Sequence, residues 1–349
     1  MIPLNAPSLG PLEEQYVLEA LRSGWITGGP FVERFEREFA AWVGRPYAVA
    51  CASGTAALVL ALMAVNPRRV LAPTYTCDAV ANAVWAATRT LPILADVEDE
   101  TWGLEAETVP RGAALGAEAV VLVHTYGVPA RETMQIVEFC RTRDLVLIED
   151  ASEAHGAQLD GRRVGGFGDL GVFSPRGEKN LGAGQFGVVV TDRDDWAKAM
   201  RQVANNGLPD PTLRYWSTRH GLNFQPPHLS AALALAQLHR ADELIAARTR
   251  VAERWRRLLP ETEFQGSHGT PAWWLTAVRF PPGVTRLLPQ DLASALRERG
   301  VETRPGFYPL HWLPHLSGAP RVGPFPVAER LLQTLLILPS GPAVTEVEQ

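Results

Sequence analysis

The segment from Ala52 to Leu58 joins a turn of small residues to a predicted helix. Ser53 and Gly54 follow a short apolar run, and the helix is expected to begin near Thr55. Free backbone N–H groups at such a helix start, together with the helix dipole, favour a phosphate group. Serine and threonine also form ordinary helix caps, which is the commoner role of such a turn. Taken alone, the segment leaves both interpretations open.

A pair of acidic residues ends the apolar run at residues 145–148. Asp150 follows that run after Glu149, and Glu153 comes three residues later. A carboxylate directly after a buried strand can face a binding site at the edge of a sheet. It can also cap the next helix, which is the commoner role for a lone aspartate. Asp150 is therefore a candidate that needs support from other segments.

Lys179 stands in a glycine-rich loop, five residues after Ser174. Ser174 itself follows the apolar run at residues 170–173. A lone lysine in a loop is usually a solvated charge. If this lysine is buried, its amine loses basicity, as the chemistry of a Schiff-base lysine requires.

Together the three segments supply the groups that pyridoxal phosphate requires of a protein. Its phosphate needs hydrogen-bond donors, which Gly54, Thr55 and Ser174 offer. Its ring nitrogen needs a carboxylate that keeps it protonated, and Asp150 is the candidate. Its aldehyde needs an amine, and Lys179 is the candidate. We therefore predict a cofactor site in which Lys179 and Asp150 are the catalytic residues.

The elements that must bring these segments together alternate between helix and strand in the first half of the chain. Apolar runs predicted as strands lie at residues 47–50, 69–72, 119–123, 145–148, 170–173 and 186–190. Alternation with helices predicts an α/β fold, with a mostly parallel sheet covered on both faces. Ligands bind at the carboxyl ends of the strands in such sheets, and each of the three segments follows a predicted strand.

The pattern changes after a long proline-containing loop at residues 205–228. Residues 229–258 are predicted to form one long helix or two joined helices. We place a domain boundary near residue 240, with a large cofactor-binding domain at 1–240 and a small α+β domain at 241–349. The N-terminal residues are candidates to pack on the small domain. Within the small domain the pattern predicts a strand at 274–280, a helix at 289–299 and a last helix at 327–336.

The composition argues against several classes of protein. The chain has 349 residues and a net charge of −5, so it lacks the basic balance of a nucleic-acid-binding protein. Its apolar stretches are too short to cross a bilayer, and its N-terminus does not resemble a signal peptide. Cys51, Cys77 and Cys140 lie in apolar sequence without metal-binding spacing. We expect reduced thiols, no metal and a cytoplasmic location.

A series of short motifs, in order and with consistent spacing, resembles the DegT-type (StrS-like) sugar aminotransferases of fold type I. The motifs cover nearly the whole chain: Gly24–Pro30, Phe35–Ala40, Ser53–Leu58, His124–Gly127, Glu149–Ala151, Gly168–Asp169, Phe173–Ser174, Lys179–Asn180, Gly221–Asn223 and Tyr308–His311. Their order and spacing together are specific, although no single motif is decisive. The resemblance implies a large domain with a mostly parallel, seven-stranded type of sheet and a small C-terminal domain.

The resemblance also implies a role for each cofactor-binding residue. Lys179 would form the internal aldimine with pyridoxal phosphate and later move a proton. Asp150 would pair with the ring nitrogen, while Ser174 and the backbone at Gly54 and Thr55 would bind the phosphate. The reaction implied is transfer of an amino group, with glutamate as the expected donor, to a keto sugar that is expected to be linked to a nucleotide.

Four further positions are interpreted through the resemblance. Asn223 of the partner subunit would reach the same phosphate, which implies a homodimer with shared active sites. Trp25 and His311 lie in motifs that border the sugar site in this family. A packing role suits both of these side chains equally well. His124, at a predicted strand end, is expected to be structural.

The chain departs from the family pattern at several positions near the cofactor. Cys77 stands where an aromatic residue usually stacks on the ring, and Tyr75 is an alternative source of that ring. Glu153 replaces the usual glutamine or histidine near the phenolic oxygen of the cofactor. Gln225 replaces an arginine, and the run 184–187 departs from the usual Gly-Glu-Gly-Gly. These changes indicate a substrate away from the family's main line.

Two other functions stay open at this point. Related enzymes remove a sugar hydroxyl with the same cofactor and carry histidine in place of the lysine, so Lys179 argues against a dehydratase. A regulatory protein that binds cofactor or sugar without catalysis is the second alternative. Retention of both Lys179 and Asp150 argues against it, since binding alone does not require this pair.

Overall fold

The structure is a computed structural model, and it describes residues 1–210, 212–213, 215–280, 285 and 287–349. The described residues form eleven α-helices: α1 Pro11–Arg22, α2 Pro30–Val43, α3 Gly54–Val65, α4 Ala79–Thr88, α5 Thr108–Ala114, α6 Thr133–Thr142, α7 Asp194–Ala204, α8 His228–His239, α9 Ala241–Leu258, α10 Pro289–Glu298 and α11 Pro326–Thr334. Short 3₁₀ helices lie at Thr125–Gly127, Leu310–Trp312 and Pro314–Leu316.

The same residues form fourteen β-strands: β1 Tyr47–Cys51, β2 Val70–Pro73, β3 Ile93–Ala95, β4 Ala119–Val123, β5 Val146–Asp150, β6 Gln158–Leu159, β7 Arg162–Arg163, β8 Leu170–Phe173, β9 Gly187–Thr191, β10 Glu263–Phe264, β11 Thr276–Arg279, β12 Arg304–Pro305, β13 Arg321–Val322 and β14 Leu335–Leu338. β6 and β7 pair only with each other, as a small hairpin.

The larger sheet confirms the predicted fold class, an α/β fold with a mostly parallel sheet. Across the described residues its strand order is β1-β9-β8-β5-β4-β2-β3-β13. β9 runs antiparallel to both of its neighbours, and the remaining pairs are parallel. Seven of these strands come from residues 47–191, the number that the resemblance implied. Six of them match the predicted apolar runs, whereas β3 was not predicted, and the two-residue β13 extends the edge beside β3.

Helices cover both faces of this sheet because its strands are apolar on both sides. Alternate residues of β4 point to opposite faces, as in any strand. Val121 packs in a cluster with the buried side of α3, whereas Val120 and Leu122 pack in a second cluster with Ile136 of α6. Each fully buried valine or leucine contributes roughly 1.5–3 kcal/mol to folding. The sheet is therefore a rigid base for residues at its edge.

The smaller sheet comes from the C-terminal part of the chain and has the order β10-β11-β14-β12, with antiparallel pairs. The predicted helix at 327–336 is wrong at its end, because α11 stops at Thr334 and Leu335 begins β14. The run Leu335–Leu338 is buried between β11 and β12, where strand pairing satisfies its backbone. An apolar run this short does not distinguish helix from strand by periodicity.

Two joined helices, α8 and α9, occupy residues 228–258 and meet at Arg240. The division into domains near residue 240 stays a prediction. Residues 205–227 form no helix or named strand where the structure describes them, and Pro211 of the predicted loop lies outside the described residues. The N-terminus packs on the C-terminal part, since the Ile2 N–H donates to the Gly300 carbonyl at 2.7 Å.

The topology places the ends of three strands at one edge of the larger sheet. β1 and β8 are both antiparallel to β9, so they run in the same direction. β5 is parallel to β8. Cys51, Asp150 and Phe173 therefore end at the same edge, where ligands bind in open α/β sheets. None of the helices in the described ranges is long and apolar enough to cross a membrane.

Candidate active site

The start of α3 forms a cradle for an anion. Ser53 caps the helix, with its Oγ accepting the Ala56 N–H at 3.1 Å. The N–H groups of Gly54 and Thr55 in the first turn have no carbonyl partner within the helix. Ser174, at the end of β8, lies so close that a Cβ at Gly54 would be 2.6 Å from its Oγ. Glycine is required here because the two chain segments approach so closely.

Asp150 and its neighbour Glu149 have different environments at the end of β5. Glu149 is fully buried and accepts hydrogen bonds from the backbone of Gly165 and Gly168 and from His124. Burial acts to raise the pKa of Glu149, but the bond from His124 and these backbone bonds outweigh it and lower the pKa. Glu149 is therefore structural, whereas Asp150 is left with fewer partners.

Asp150 keeps one side free for a ligand. Its Oδ1 accepts the Ser152 N–H at 3.0 Å, and the side chain lines a cavity. Burial raises the pKa of Asp150, and the hydrogen bonds from Ser152 oppose that rise. A buried carboxylate of this kind gains a favourable partner when a protonated ring nitrogen binds beside it.

His124 is held in a single tautomer by two hydrogen bonds. Its Nδ1 accepts the Ala130 N–H at 3.0 Å, so the proton lies on Nε2, which donates to Glu149 Oε2 at 3.0 Å. The ring is fully buried and does not line the cavity. Its role is structural, as the sequence suggested.

Lys179 is partly buried beside an acidic partner. Its Nζ lies 3.2 Å from Glu153 Oε1 and 3.3 Å from the centre of the Trp274 ring. The other oxygen of Glu153 accepts the Tyr126 N–H at 2.8 Å, which fixes the carboxylate. Both charged side chains are nearly inaccessible, with 11% and 7% exposure. Lys179 is therefore a defined part of the site and not a solvated loop residue.

One cavity of about 270 Å³ brings most of the predicted site residues together. Its wall includes seven of the eight residues predicted to bind cofactor: Gly54, Thr55, Cys77, Asp150, Glu153, Ser174 and Lys179. The anion cradle, the carboxylate and the amine thus share one cavity. Pyridoxal phosphate, with its phosphate, ring nitrogen and aldehyde, matches this set of groups.

The structure does not bring Asn223, Trp25 or His311 to this cavity. Asn223 is exposed in the loop before α8. Trp25 is half exposed, and its ring lies against Gly29. The role of Asn223 across a subunit interface stays a prediction.

His311 has a hydrogen-bond partner on each side of its ring, and one of these partners comes from a distant part of the chain. Its Nδ1 lies 2.8 Å from Thr74 Oγ1, its Nε2 lies 3.1 Å from Glu329, and its ring stacks on Phe325. Burial lowers the pKa of His311, and the contact with Glu329 opposes that effect. These contacts favour packing, the alternative that the sequence left open for this residue.

Of the two residues considered for packing against the cofactor ring, Cys77 lines the cavity and Tyr75 does not. Tyr75 is fully buried against Tyr126, Trp102 and Phe307 and does not line the cavity. Cys77 does line it, and burial raises the pKa of its thiol to about 11. The thiol is therefore a neutral packing group at physiological pH.

Sequence reasoning missed a second wall of the cavity. Trp274, Arg304 and Phe307 all line it, and they come from the C-terminal part of the chain. Their sequence neighbourhoods carry no glycine-rich turn or strand-end polar cluster. Only the packing of the small sheet against the sheet edge reveals them.

Comparisons with known proteins agree with this site. A profile of the DegT/DnrJ/EryC1/StrS aminotransferase family matches residues 7–349. GDP-perosamine synthase of Caulobacter vibrioides is 35% identical, covering 99% of this chain and 95% of that protein. GDP-perosamine synthase of Vibrio cholerae is 32% identical, with coverage of 99% and 95%.

Solved structures give the same result. The aminotransferase TlmJ from Streptoalloteichus hindustanus superimposes with a TM-score of 0.91 at 29% identity, covering 100% of this chain and 95% of that one. DesI, solved in the presence of its TDP-sugar product, has a TM-score of 0.90 at 29% identity, with coverage of 100% and 89%. The predicted family, fold and cofactor are confirmed. This chain belongs to the DegT/DnrJ/EryC1/StrS aminotransferase family and is an aminotransferase that depends on pyridoxal phosphate.

Proposed function

We propose that this enzyme transfers the amino group of glutamate to a keto sugar that is linked to a nucleoside diphosphate. The observation that carries the aminotransferase chemistry is the burial of Lys179 in the same cavity as Asp150 and the anion cradle. The nucleotide is supported by two relatives above 30% identity, which are named GDP-perosamine synthases. DesI, at 29% identity, is described with a TDP-sugar product.

The residues of this chain divide the work in a consistent way. Gly54, Thr55 and Ser174 hold the phosphate end of the cofactor, and Asp150 keeps the ring nitrogen protonated. Bound pyridoxal phosphate supplies an electron sink for the carbon that loses its proton. Lys179 Nζ takes that proton from the donor and returns it, because it is the basic group placed at the reacting end. The small-sheet wall that includes Trp274 helps to exclude water.

We also propose that the active enzyme is a cytoplasmic homodimer. Support for the dimer comes from the loop at residues 205–228, which exposes Leu213, Trp216 and Leu222 beside Asn223. Exposed apolar side chains grouped in one segment are typical of an interface. Asn223 of the partner subunit would complete the phosphate site. The free thiols of Cys51, Cys77 and Cys140 support a reducing compartment.

The sequence makes a test of the lysine unusually clear, because the chain contains only two lysines, Lys179 and Lys198. Lys198 is exposed on α7 and pairs with Asp194, so it serves as the matched control. The purified protein should absorb visible light, and borohydride should bleach this band and fix the cofactor to Lys179. Mass spectrometry of the peptides checks this position. Lys198→Ala should behave as the wild type.

The acceptor is tested by product analysis. The enzyme with glutamate should convert a GDP- or TDP-linked keto sugar to an aminosugar, detected by mass spectrometry. A deoxysugar product would instead support the dehydratase alternative. Amino transfer by Lys179→Ala at the wild-type rate would end the assignment of Lys179. Loss of the visible band on adding glutamate separates an enzyme from a binding protein.

A further inference from the structure

The guanidinium of Arg304 is a charge without a partner in the active-site cavity. Arg304 lies in β12 of the small sheet, is partly buried and lines the cavity. Within the described part of the chain, its guanidinium lies near the Trp274 ring, whose centre is 5.6 Å from Cζ. The guanidinium makes neither a hydrogen bond nor an ion pair there.

The other cations on the wall are already paired. Lys179 pairs with Glu153, and Arg176 lies 3.5 Å from Glu178. Both oxygens of Glu153 have other partners, since Oε1 lies beside Lys179 Nζ and Oε2 accepts the Tyr126 N–H. Arg304 thus faces the cavity with its donors unused, while the nearby acids are engaged elsewhere.

A partly buried guanidinium is stable only when something compensates its charge. The face of a tryptophan attracts a cation, but it offers no acceptor for the five N–H donors of arginine. Water can solvate the group while the cavity is open. A bound ligand that displaces this water must bring acceptors of its own, and a planar or tetrahedral oxyanion fits the guanidinium fork best.

The position of Arg304 relative to the reacting amine indicates which ligand this is. Both cations lie near the Trp274 ring. Lys179 Nζ is 3.3 Å from the centre of this ring, and Arg304 Cζ is 5.6 Å from it. The guanidinium and the Lys179 amine are therefore close enough for one amino acid or one sugar phosphate to reach both. The anion cradle for the cofactor is built from α3 and Ser174, which are different elements.

We propose that Arg304 binds the oxyanion of a reactant, and so orients that reactant for transfer at Lys179. The oxyanion is either the carboxylate of the amino donor or a phosphate of the nucleotide-linked acceptor, which share this chemistry. The inference rests on the proposed function for the identity of these reactants. Arg304 is a binding residue that sequence motifs do not reveal.

The test uses the cofactor-loaded enzyme with Arg304→Gln and Arg304→Lys. Arg321→Gln is the matched control, because Arg321 also lies over a ring, that of Phe325, but is exposed and does not line the cavity. In one arm, glutamate is titrated and loss of the visible band gives its Kd. In the other arm, binding of GDP and of TDP is measured by calorimetry.

Arg304→Gln should raise Kd in one arm by about 10- to 100-fold, the effect of losing hydrogen bonds to a charged group. Arg304→Lys should recover part of the lost affinity, since it keeps the positive charge but lacks the planar guanidinium that binds an oxyanion through two hydrogen bonds. The affinity for pyridoxal phosphate should not change. A change with glutamate identifies the carboxylate, and a change with the nucleotides identifies the phosphate.

Equal Kd values for Arg304→Gln and Arg321→Gln in both arms would overturn the proposal. If the wild type itself shows no response to glutamate, the proposed function has failed instead. The lysine variant keeps the test valid if the glutamine variant folds poorly, because it retains a cation beside the Trp274 ring and loses only the planar guanidinium.

Discussion

His155 gives this protein a pH dependence of stability that can be calculated from the structure. The residue follows the Asp150 segment, is fully buried, and lies 5.6 Å from the Phe173 ring, centre to centre. Within the described residues, neither ring nitrogen has a hydrogen-bond partner. Burial lowers the pKa of His155 from 6.5 to about 3, and the charges of Lys179 and Arg248 act in the same direction.

The sign of the effect follows from this depressed pKa. As the pH falls below 6.5, the unfolded chain binds a proton at His155, but the folded chain does not until about pH 3. The free energy of unfolding therefore falls across this window, by up to about 1.4 kcal/mol per pH unit. Between pH 7 and pH 5 the loss is about 2 kcal/mol.

The perturbation is His155→Leu, measured by urea unfolding of the cofactor-free protein at pH 7 and pH 5. On acidification, the free energy of unfolding of the variant should fall by about 2 kcal/mol less than that of the wild type, because the titrating imidazole has been removed. His220→Leu, at an exposed position, is the control and should keep the wild-type pH dependence. Equal losses in wild type and His155→Leu would refute the reasoning. So would an NMR titration in which His155 gains a proton near pH 6.5.

Two further changes test the cofactor side of the cavity. Gly54→Ala places a Cβ 2.4 Å from Ser174 Cβ and forces Ser174 away from the cradle, so affinity for pyridoxal phosphate should fall about tenfold or more in a spectroscopic titration. Gly318→Ala, with its nearest neighbour at 3.8 Å, should leave that affinity unchanged, and a similar value for both variants would contradict the cradle. Glu153→Gln removes the carboxylate that compensates Lys179, and should lower the unfolding free energy of the cofactor-free protein by about 1–3 kcal/mol. The loss should be smaller in the loaded protein, in which Lys179 is engaged, and equal losses in the two urea unfolding series would contradict this.

Local chemistry made it predictable from sequence that Gly54, Asp150, Ser174 and Lys179 would lie together. Gly54, Asp150 and Ser174 each follow an apolar strand, and parallel strands bring their carboxyl ends to one edge. The lysine was found through its distance from Ser174 along the chain. Such signals exist because these residues lie at, or directly after, the ends of strands in the rigid sheet, so their positions follow from strand direction.

The opposite wall of the cavity was not predictable in the same way. Trp274 and Arg304 reach the cavity only because the small sheet packs against the edge of the large one. That packing depends on contacts between distant segments, which leave no periodic pattern in the sequence. The motif at 308–311 pointed to His311 instead, and this ring is engaged with Thr74 and Glu329.

The division of the cavity between two sheets separates the strand ends that carry Asp150 and Ser174 from the wall that carries Trp274 and Arg304. The edge of the large sheet fixes Asp150 and Ser174, and any change there would disturb the cofactor. The opposite wall, with Trp274 and Arg304, can change without moving the cofactor groups, since it is held by a separate set of strands. Arg248 links the two parts, because its guanidinium donates to the carbonyls of Lys179 and Trp274 at 3.2 and 3.0 Å. Substitutions in the small-sheet wall should therefore change the substrate preference. The contacts of Arg248 should keep the Lys179 amine in a fixed position relative to that wall.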